Sequence, residues 1–331
     1  MNLVTGGCGF IGSHLVELLL ARGLPVRVFD KSDPMTSWNG EVEYIHGDIR
    51  DRDAVRLAVA NCEHVWHLAA NPNLWTRRRS DFDQVNHVGT IHVLEEALRA
   101  GAQRVVHTST ESILTSKRFQ GGRVEDLRPK REDMVGPYCR SKFDAEAFAF
   151  QLADAGHPIL VASPTLPIGP GDRGISPPTR MSLACARGEL PAYLDCRFNM
   201  MDVRDIALGL VRVLERGIPG RRYLLGAWNV ELKDWLDLVA SKMGRKAPSF
   251  RVPYALAWLA GIFSECWADY VSGKMPQATV TGVRLTRYTM HFDPSRSLAE
   301  LGIDPRPLEE SLDDFLQDAF DKGWILKPAS G

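Results

Sequence analysis

The chain has 331 residues, with 40 Lys and Arg against 41 Asp and Glu, a formal charge of −1. That balance offers no basic face of the kind nucleic acid needs, so no nucleic-acid partner is expected. With 44% hydrophobic and 24% charged residues the chain is globular, neither fibrous nor disordered, and its length suits two domain-sized units or one large domain carrying a smaller lobe.

From the N-terminus, Leu3-Val4 reads as a first strand, and no charged n-region or apolar h-region precedes it, so no secretory signal is expected. A glycine loop then leads into a helix through Leu15, Leu18, Leu19 and Leu20, which Gly23 ends. Val26 to Phe29 gives a second strand and Val42 to His46 a third. Asp53 to Ala60 carries a helical pattern, and Val65 to Leu68 is a short apolar run of the buried-strand kind. A long helix is predicted from about Val85 to Ala100, closed by Gly101. The strand Val105 to His107, a polar loop, a helix from about Tyr138 to Ala153 and the strand Ile159 to Val161 complete the alternation. Strand and helix in turn predict an α/β fold over residues 1–165, a doubly wound parallel sheet covered on both faces.

Beyond Pro164 the pattern loosens. Pro167, Pro170, Pro177 and Pro178 punctuate a loop-rich stretch, after which Val203 to Glu215 reads as helix and Tyr223 to Leu225 as strand. Residues 166–331 are expected to form mainly a smaller C-terminal, substrate-binding lobe, with a strand near 221–226 returning to the sheet. Val252 to Phe263 is an apolar run that stops at Ser264-Glu265, short of the ~18 residues that span a bilayer. Such a run suits either a helix lying on a membrane surface or a buried helix of the second lobe. Few basic residues stand beside it in the sequence, so burial is the expectation.

The six cysteines, Cys8, Cys62, Cys139, Cys185, Cys196 and Cys266, form no C-x-x-C pair, and no H-x-x-x-H pair occurs. Reduced thiols, a cytoplasmic location and no metal site are expected.

Thr5-Gly6-Gly7-Cys8-Gly9-Phe10-Ile11-Gly12 sets glycines at G-x-x-G-x-x-G between the first strand and the first helix. Glycines there allow a tight turn and let main-chain N–H groups at a helix N-terminus approach a pyrophosphate. Asp30 ends the second strand, eighteen residues past Gly12, where a carboxylate accepts hydrogen bonds from ribose hydroxyls and repels a 2′-phosphate. NAD is thereby favoured, while Lys31 beside it keeps NADP open.

Tyr138-Cys139-Arg140-Ser141-Lys142 is Y-x-x-x-K at a helix start, and the i, i+4 spacing puts phenol and ammonium on one face. A nearby ammonium stabilises a phenolate and lowers its pKa. Upstream, the strand ending in Thr108-Ser109-Thr110 brings hydroxyls to the sheet's carboxyl edge, where open α/β sheets bind ligands. Thr110 is placed to hydrogen-bond a substrate oxygen while Tyr138 exchanges its proton.

In combination these motifs resemble the extended short-chain dehydrogenase/reductases, part of the NAD-dependent epimerase/dehydratase superfamily, from residue 2 to about 325. The glycine loop with Thr5 resembles T-G-x-x-G-x-x-G. Gly47-Asp48-Ile49 is similar to the G-D-[IL] segment whose Asp meets adenine, and Leu68-Ala69-Ala70 to the H-x-A-A strand end beside the nicotinamide. Asn86-His87-Val88-Gly89-Thr90 resembles N-x-x-G-T, and Ser163-Pro164-Thr165 with Gly169-Pro170-Gly171 resembles the loop flanking the nicotinamide. The resemblance implies a Rossmann fold, NAD(P), and Thr110, Tyr138 and Lys142 as the catalytic set. Gly6, Gly9, Phe10, Ile11, Gly12, Asp30, Lys31, Asp48, Ile49, Leu68, Ala69, Ala70, Asn86, Ser109, Tyr138, Lys142, Pro164 and Thr165 follow as cofactor-binding residues. It also implies a homodimer through the helices beginning near Val85 and Tyr138.

The reaction implied is hydride transfer between nicotinamide and a secondary alcohol or ketone, with Tyr138 as general acid/base. Phe198 stands where sugar-nucleotide relatives commonly carry an Arg, with Arg197 one position away. Thr110 is followed by a single carboxylate, Glu111, where dehydratases have an acidic pair. Asn73-Leu74-Trp75 resembles the hopanoid-associated branch, beside dihydroflavonol-reductase-like and 3β-hydroxysteroid-dehydrogenase-like branches. A hydrophobic small-molecule substrate of isoprenoid, sterol or polyketide type is expected, against Trp75, Glu111, Met181, Phe198 and Met200. The alternatives are a sugar epimerase holding NAD tightly and a non-catalytic cofactor-binding scaffold.

Overall fold

The computed structural model describes residues 1–38, 40–116 and 119–327. In the first half, strands β1 (Asn2–Thr5), β2 (Val26–Asp30), β3 (Val42–His46), β4 (His64–His67), β5 (Arg104–Thr108) and β6 (Ile159–Pro164) alternate with helices. These are α1 (Phe10–Ala21), α2 (Arg52–Val59), the short α3 (Ser80–Phe82), α4 (Gly89–Arg99) and α5 (Gly136–Asp154). The second half contributes strands β7 (Leu166–Ile168), β8 (Ala192–Tyr193), β9 (Arg197–Asp202), β10 (Arg222–Leu225), β11 (Trp228–Glu231) and β12 (Phe250–Arg251). Its helices are α6 (Pro177–Arg187), α7 (Val203–Arg216), α8 (Leu232–Lys242), α9 (Tyr254–Trp267), α10 (Val280–Leu285), α11 (Ser295–Leu301) and α12 (Leu308–Asp321).

Seven parallel strands form the main sheet in the order β10-β6-β5-β4-β1-β2-β3. Alternate side chains leave opposite faces of each strand, and both faces are covered, as in other Rossmann-like folds. Val4, Val28, Val106 and Leu160 join the core beneath α1 and α7, whereas Leu3, Phe29, Val105 and Val161 join the core beneath α2, α4 and α5. This is why the strands read as continuous apolar runs. Strand order reverses direction between β1 and β4, and the crevice at their carboxyl ends is the place where such sheets bind ligands.

Both α7 and β10 come from the second half of the chain and complete this sheet. The remaining second-half elements build a three-stranded sheet, β11-β9-β7, over which α6, α8 and α12 close a separate core around Trp235, Leu236 and Phe315.

Two expectations are corrected. The helix predicted from about Val85 begins earlier, at Ser80, and passes through a π-helical turn over Asp83–Val88 before α4. That turn carries the buried Asn86, the residue whose carboxamide lies inside the fold. The apolar run at 252–263 forms α9, but α9 is not a buried lobe helix. Only Ala257 and Gly261 are buried on it, and Phe263 is 71% exposed. The reason is geometric: its packing partner α10 has six residues, and it meets the small-residue side of α9, with Val280 N 3.4 Å from where a Cβ on Gly261 would stand. The large side chains are left outside.

Candidate functional site

The glycine loop is shaped by contacts that no other residue would satisfy. Gly6 has φ +73°, and a Cβ there would stand 2.6 Å from the backbone nitrogen of Ala69 at the end of β4. A Cβ on Gly12 would collide with the Gly6 carbonyl. At Gly9 helix α1 starts without a side-chain cap and without an acid in its first turn, so its leading N–H groups remain available to an anion.

Asp30 closes the loop from β2. Its carboxylate accepts from the Cys8 N–H (2.9 Å) and from the Ser32 N–H (2.9 Å), which holds it beside the glycines. Lys31 is exposed next to it. Asp48 lies at the end of β3 in a fork with Arg50, which holds its carboxyl below the usual range. Ile49 is packed in the core beneath α4, close against Gly89.

Behind the loop a chain of polar groups joins the glycine-loop side to α5. Thr90 Oγ1 donates to the Asn86 carbonyl, so His67 Nε2 donates to Thr90 (2.9 Å). His67 Nδ1 is then the acceptor, and Thr5 Oγ1 donates to it (2.8 Å). Burial drives the His67 pKa down to about 3, in keeping with this neutral ring. Asn86 accepts from the Asn71 N–H and donates to the Asn71 carbonyl and to Ser141 on α5. Both sides of its amide are thereby engaged in fastening the segment after β4 to α5. The roles of His67, Thr90 and Ser141 were missed in the sequence; polar residues inside otherwise apolar strand and helix patterns were the available signal.

The reactive groups meet at the carboxyl edge. Tyr138 and Lys142 are buried on the first turns of α5, and Thr110 leaves β5 just opposite. Lys142 Nζ donates to the Thr108 carbonyl (2.8 Å), which leaves two ammonium N–H groups for a ligand. Burial lowers its pKa to about 8, opposed by the Glu146 carboxylate. The buried Ser109 and Thr108 hydroxyls find no partner among the described residues, so the edge retains free polar groups.

Tyr138 differs from the expectation of a lowered phenol pKa. Burial and the Glu111 carboxylate push it above the ordinary value, and hydrogen bonding from Thr110 and Ser112 only partly opposes them. Lys142 is turned to the Thr108 carbonyl and does not offset this. Glu111 keeps some solvent access, yet its carboxyl is enclosed enough to be pushed up to about 7, with Thr110 Oγ1 donating to it at 3.1 Å. A phenol, a hydroxyl and a carboxyl that titrates near neutrality stand in one chain.

The side chains expected to line a substrate pocket are distributed otherwise. Phe198 and Met200 are buried in the second-lobe core, with Met181 packed against it, because alternate residues of β9 face that core. Trp75 is buried and its indole donates to Asp269 beyond α9 (3.0 Å). Pro164 ends β6, and Thr165 bonds the Leu225 carbonyl of β10, so this pair braces the sheet edge. A cavity of about 670 Å³ opens instead between β9, the loop at 286–289 and the start of α9, lined by Arg197, Glu231, Arg251, Tyr254, Arg287 and Tyr288 among others. Tyr288 packs against the same cluster as Tyr138. One group of metal-ligating type occurs among the described residues, Asp83, His87 and Asp144, but Arg131 forks both oxygens of Asp144.

A family model, the NAD dependent epimerase/dehydratase family, matches residues 2–226. The chain belongs to this family. A Synechocystis sp. protein provisionally named dihydroflavonol 4-reductase is 31% identical over 97% of this chain and 95% of its own length. Sterol demethylase protein B of Methylococcus capsulatus is 29% identical over 98% and 99%. The crystal structure of gox2253 superposes with a TM-score of 0.84 at 28% identity, covering 98% of this chain and 99% of that one.

NAD is the cofactor of the epimerase/dehydratase family, and the residues present fit it. The uncapped N-terminus of α1 over Cβ-free glycines suits the pyrophosphate, Asp30 a ribose, and the two free N–H groups of Lys142 the second ribose.

Proposed function

We propose that this protein is an NAD-dependent oxidoreductase that interconverts a secondary alcohol and a ketone on a hydrophobic small molecule. The observation that carries the reading is the grouping of Thr110, Tyr138 and Lys142 at the carboxyl edge of the sheet, beside the Glu111 carboxyl. Bound NAD supplies a hydride donor or acceptor at its nicotinamide. Tyr138 delivers its phenolic proton to the carbonyl oxygen as that carbon is reduced, and recovers it when the alcohol is oxidised. Thr110 orients the same oxygen, and Lys142 positions a ribose.

The high resting pKa of Tyr138 means that the phenol holds its proton, the state that ketone reduction requires. Asp30 supports NAD over NADP, since a 2′-phosphate would meet a carboxylate. A hydrophobic substrate is supported by the sterol named for the Methylococcus relative. A homodimer through α4 and α5 belongs to the same reading, and light scattering of the purified protein tests it.

A second reading is a sugar-nucleotide epimerase, favoured by Arg197, Arg251 and Arg287 around the cavity. Glu231 and Asp195 neutralise two of these, Arg197 and Arg251. Titration with NADH and NADPH, followed by nicotinamide fluorescence, separates the readings. The oxidoreductase should bind NADH reversibly and more tightly than NADPH. Its Tyr138→Phe variant should lose about 10²–10⁴-fold in kcat on hydrophobic ketones and keep NADH affinity. NAD that stays bound through purification, with no net redox, would favour the epimerase. Binding of neither nucleotide would leave a scaffold.

A further inference from the structure

Helix α9 and the π-helical turn after it, Ala268–Ser272, present a continuous apolar face to solvent. Leu256, Leu259, Phe263, Trp267 and Tyr270 follow at spacings of three, four, four and three residues, so they line one side of the helix. All are exposed, Tyr270 by 88%, and Trp258 and Val271 widen the stripe. No charged side chain occurs from Val252 to Ser264. Fourteen residues make a helix about 21 Å long. No helix among the described residues is long and apolar enough to cross a membrane, so a bilayer would take this one in its surface plane.

The charge around the face that finds no partner among the described residues has one sign. Arg77 sets its guanidinium 3.6 Å from where a Cβ on Gly273 would stand, at the end of the turn. Arg78, Lys274 and Arg284 are exposed, and Arg287 stacks 4.9 Å above the Tyr254 ring at the first turn of α9. These five cations form no ion pair among the described residues. The two carboxylates of the segment, Glu265 and Asp269, are both held by Arg79.

We propose that α9 and the turn Ala268–Ser272 dock this protein peripherally on anionic membranes. Apolar side chains enter the headgroup boundary while Arg77, Arg78, Lys274, Arg284 and Arg287 meet lipid phosphates. A second copy of the chain fits less well, because a two-fold contact through this face would oppose the cations to themselves. A protein partner also fits less well. Interfaces carry about one hydrogen bond per 100–200 Å², and from Ala255 to Phe263 the Trp258 indole is the sole polar side-chain group. At its first turn the docked helix borders the 670 Å³ cavity, which Val252, Pro253 and Tyr254 line. Docking stands apart from the redox reading, and each fails by its own measurement.

The test is flotation of the purified full-length protein with phosphatidylcholine vesicles, with and without phosphatidylglycerol. Anionic vesicles should carry the protein. The Leu259→Ser/Phe263→Ser double variant should bind about tenfold less or weaker still. Arg77→Gln/Arg78→Gln should bind several-fold less, and added salt should weaken the wild type. NADH titration of each variant, unchanged from wild type, shows that the fold persists. A polarity-sensitive dye on the exposed Cys266 should shift to the blue with anionic vesicles. Failure of the wild type to float with either vesicle overturns the proposal, as does equal flotation of the Leu259→Ser/Phe263→Ser variant. A dimer that this variant dissolves and vesicles do not compete for would assign the face to a second copy.

Discussion

Helices α1 and α9 make an instructive pair, because each is an apolar helix of similar length with no charged stripe to orient it. Helix α1 packs on the main sheet beside α7, and it buries Leu15, Val16 and Leu19 completely. Helix α9 meets the short α10 and buries only Ala257 and Gly261. The same kind of sequence therefore ends as core in one place and as surface in the other. What differs is the partner: a broad layer on one side of α1, and a six-residue helix beside α9. Apolar content says that a face needs covering; it does not say by what.

Four measurements would break or sharpen the contrast, and the largest effect belongs to α1. Leu19→Ala removes a fully buried side chain and should cost about 2–5 kcal/mol in urea unfolding. A loss below about 1 kcal/mol would mean that α1 is not the core helix described. Next, Gly12→Ala drives a Cβ into the Gly6 carbonyl. It should lose about 1–3 kcal/mol, together with most of its NADH affinity. Unchanged fluorescence titration would remove the glycine loop from the cofactor site.

Burial of charge offers a third comparison, at Glu111. Its folded pKa is raised to about 7, so between pH 4.5 and 7 the native state keeps a proton that the unfolded chain releases. The wild type should therefore be most stable below pH 4.5 with respect to this group, and should lose stability as the pH rises through 7. Glu111→Gln lacks that loss. The gap between variant and wild type should widen by on the order of 2 kcal/mol from pH 5 to pH 8, allowing for the solvent access that Glu111 keeps. A constant gap would place the carboxyl in an ordinary aqueous environment. The smallest effect is expected on α9, where Phe263→Ala should change unfolding stability by no more than about 0.5 kcal/mol. A core-sized loss there would show that the face is covered in solution.

Much of the fold was legible because its signals are local. The run of apolar strands, the glycine loop and the carboxylate closing β2 are each contained within a few residues or one βαβ spacing. That Thr110, Tyr138 and Lys142 come together was legible for a related reason, since Tyr138 and Lys142 are one helical turn apart and Thr110 follows the strand next to β6. Less could be read of the second half. Phe198 and Met200 were expected at a pocket, but β9 turns them into a core closed by α8 and α12. Asn86 was expected at the cofactor, yet its amide is engaged with Asn71 and Ser141, contacts that exist only once α5 lies against the segment after β4.

The cations of α9 show the same division. Beside Val252–Phe263 the sequence holds little positive charge, but folding brings Arg77 to the far end of the same helix, almost two hundred residues away. Periodicity, glycine spacing and residue chemistry by themselves determined the doubly wound sheet, the glycine loop and the pair on α5, because each depends on contacts within a turn or a single crossover. Tertiary structure alone decided which apolar surfaces are covered, which polar groups are already bonded and which charges stand together. Those outcomes depend on the shape and size of partners that lie far along the chain.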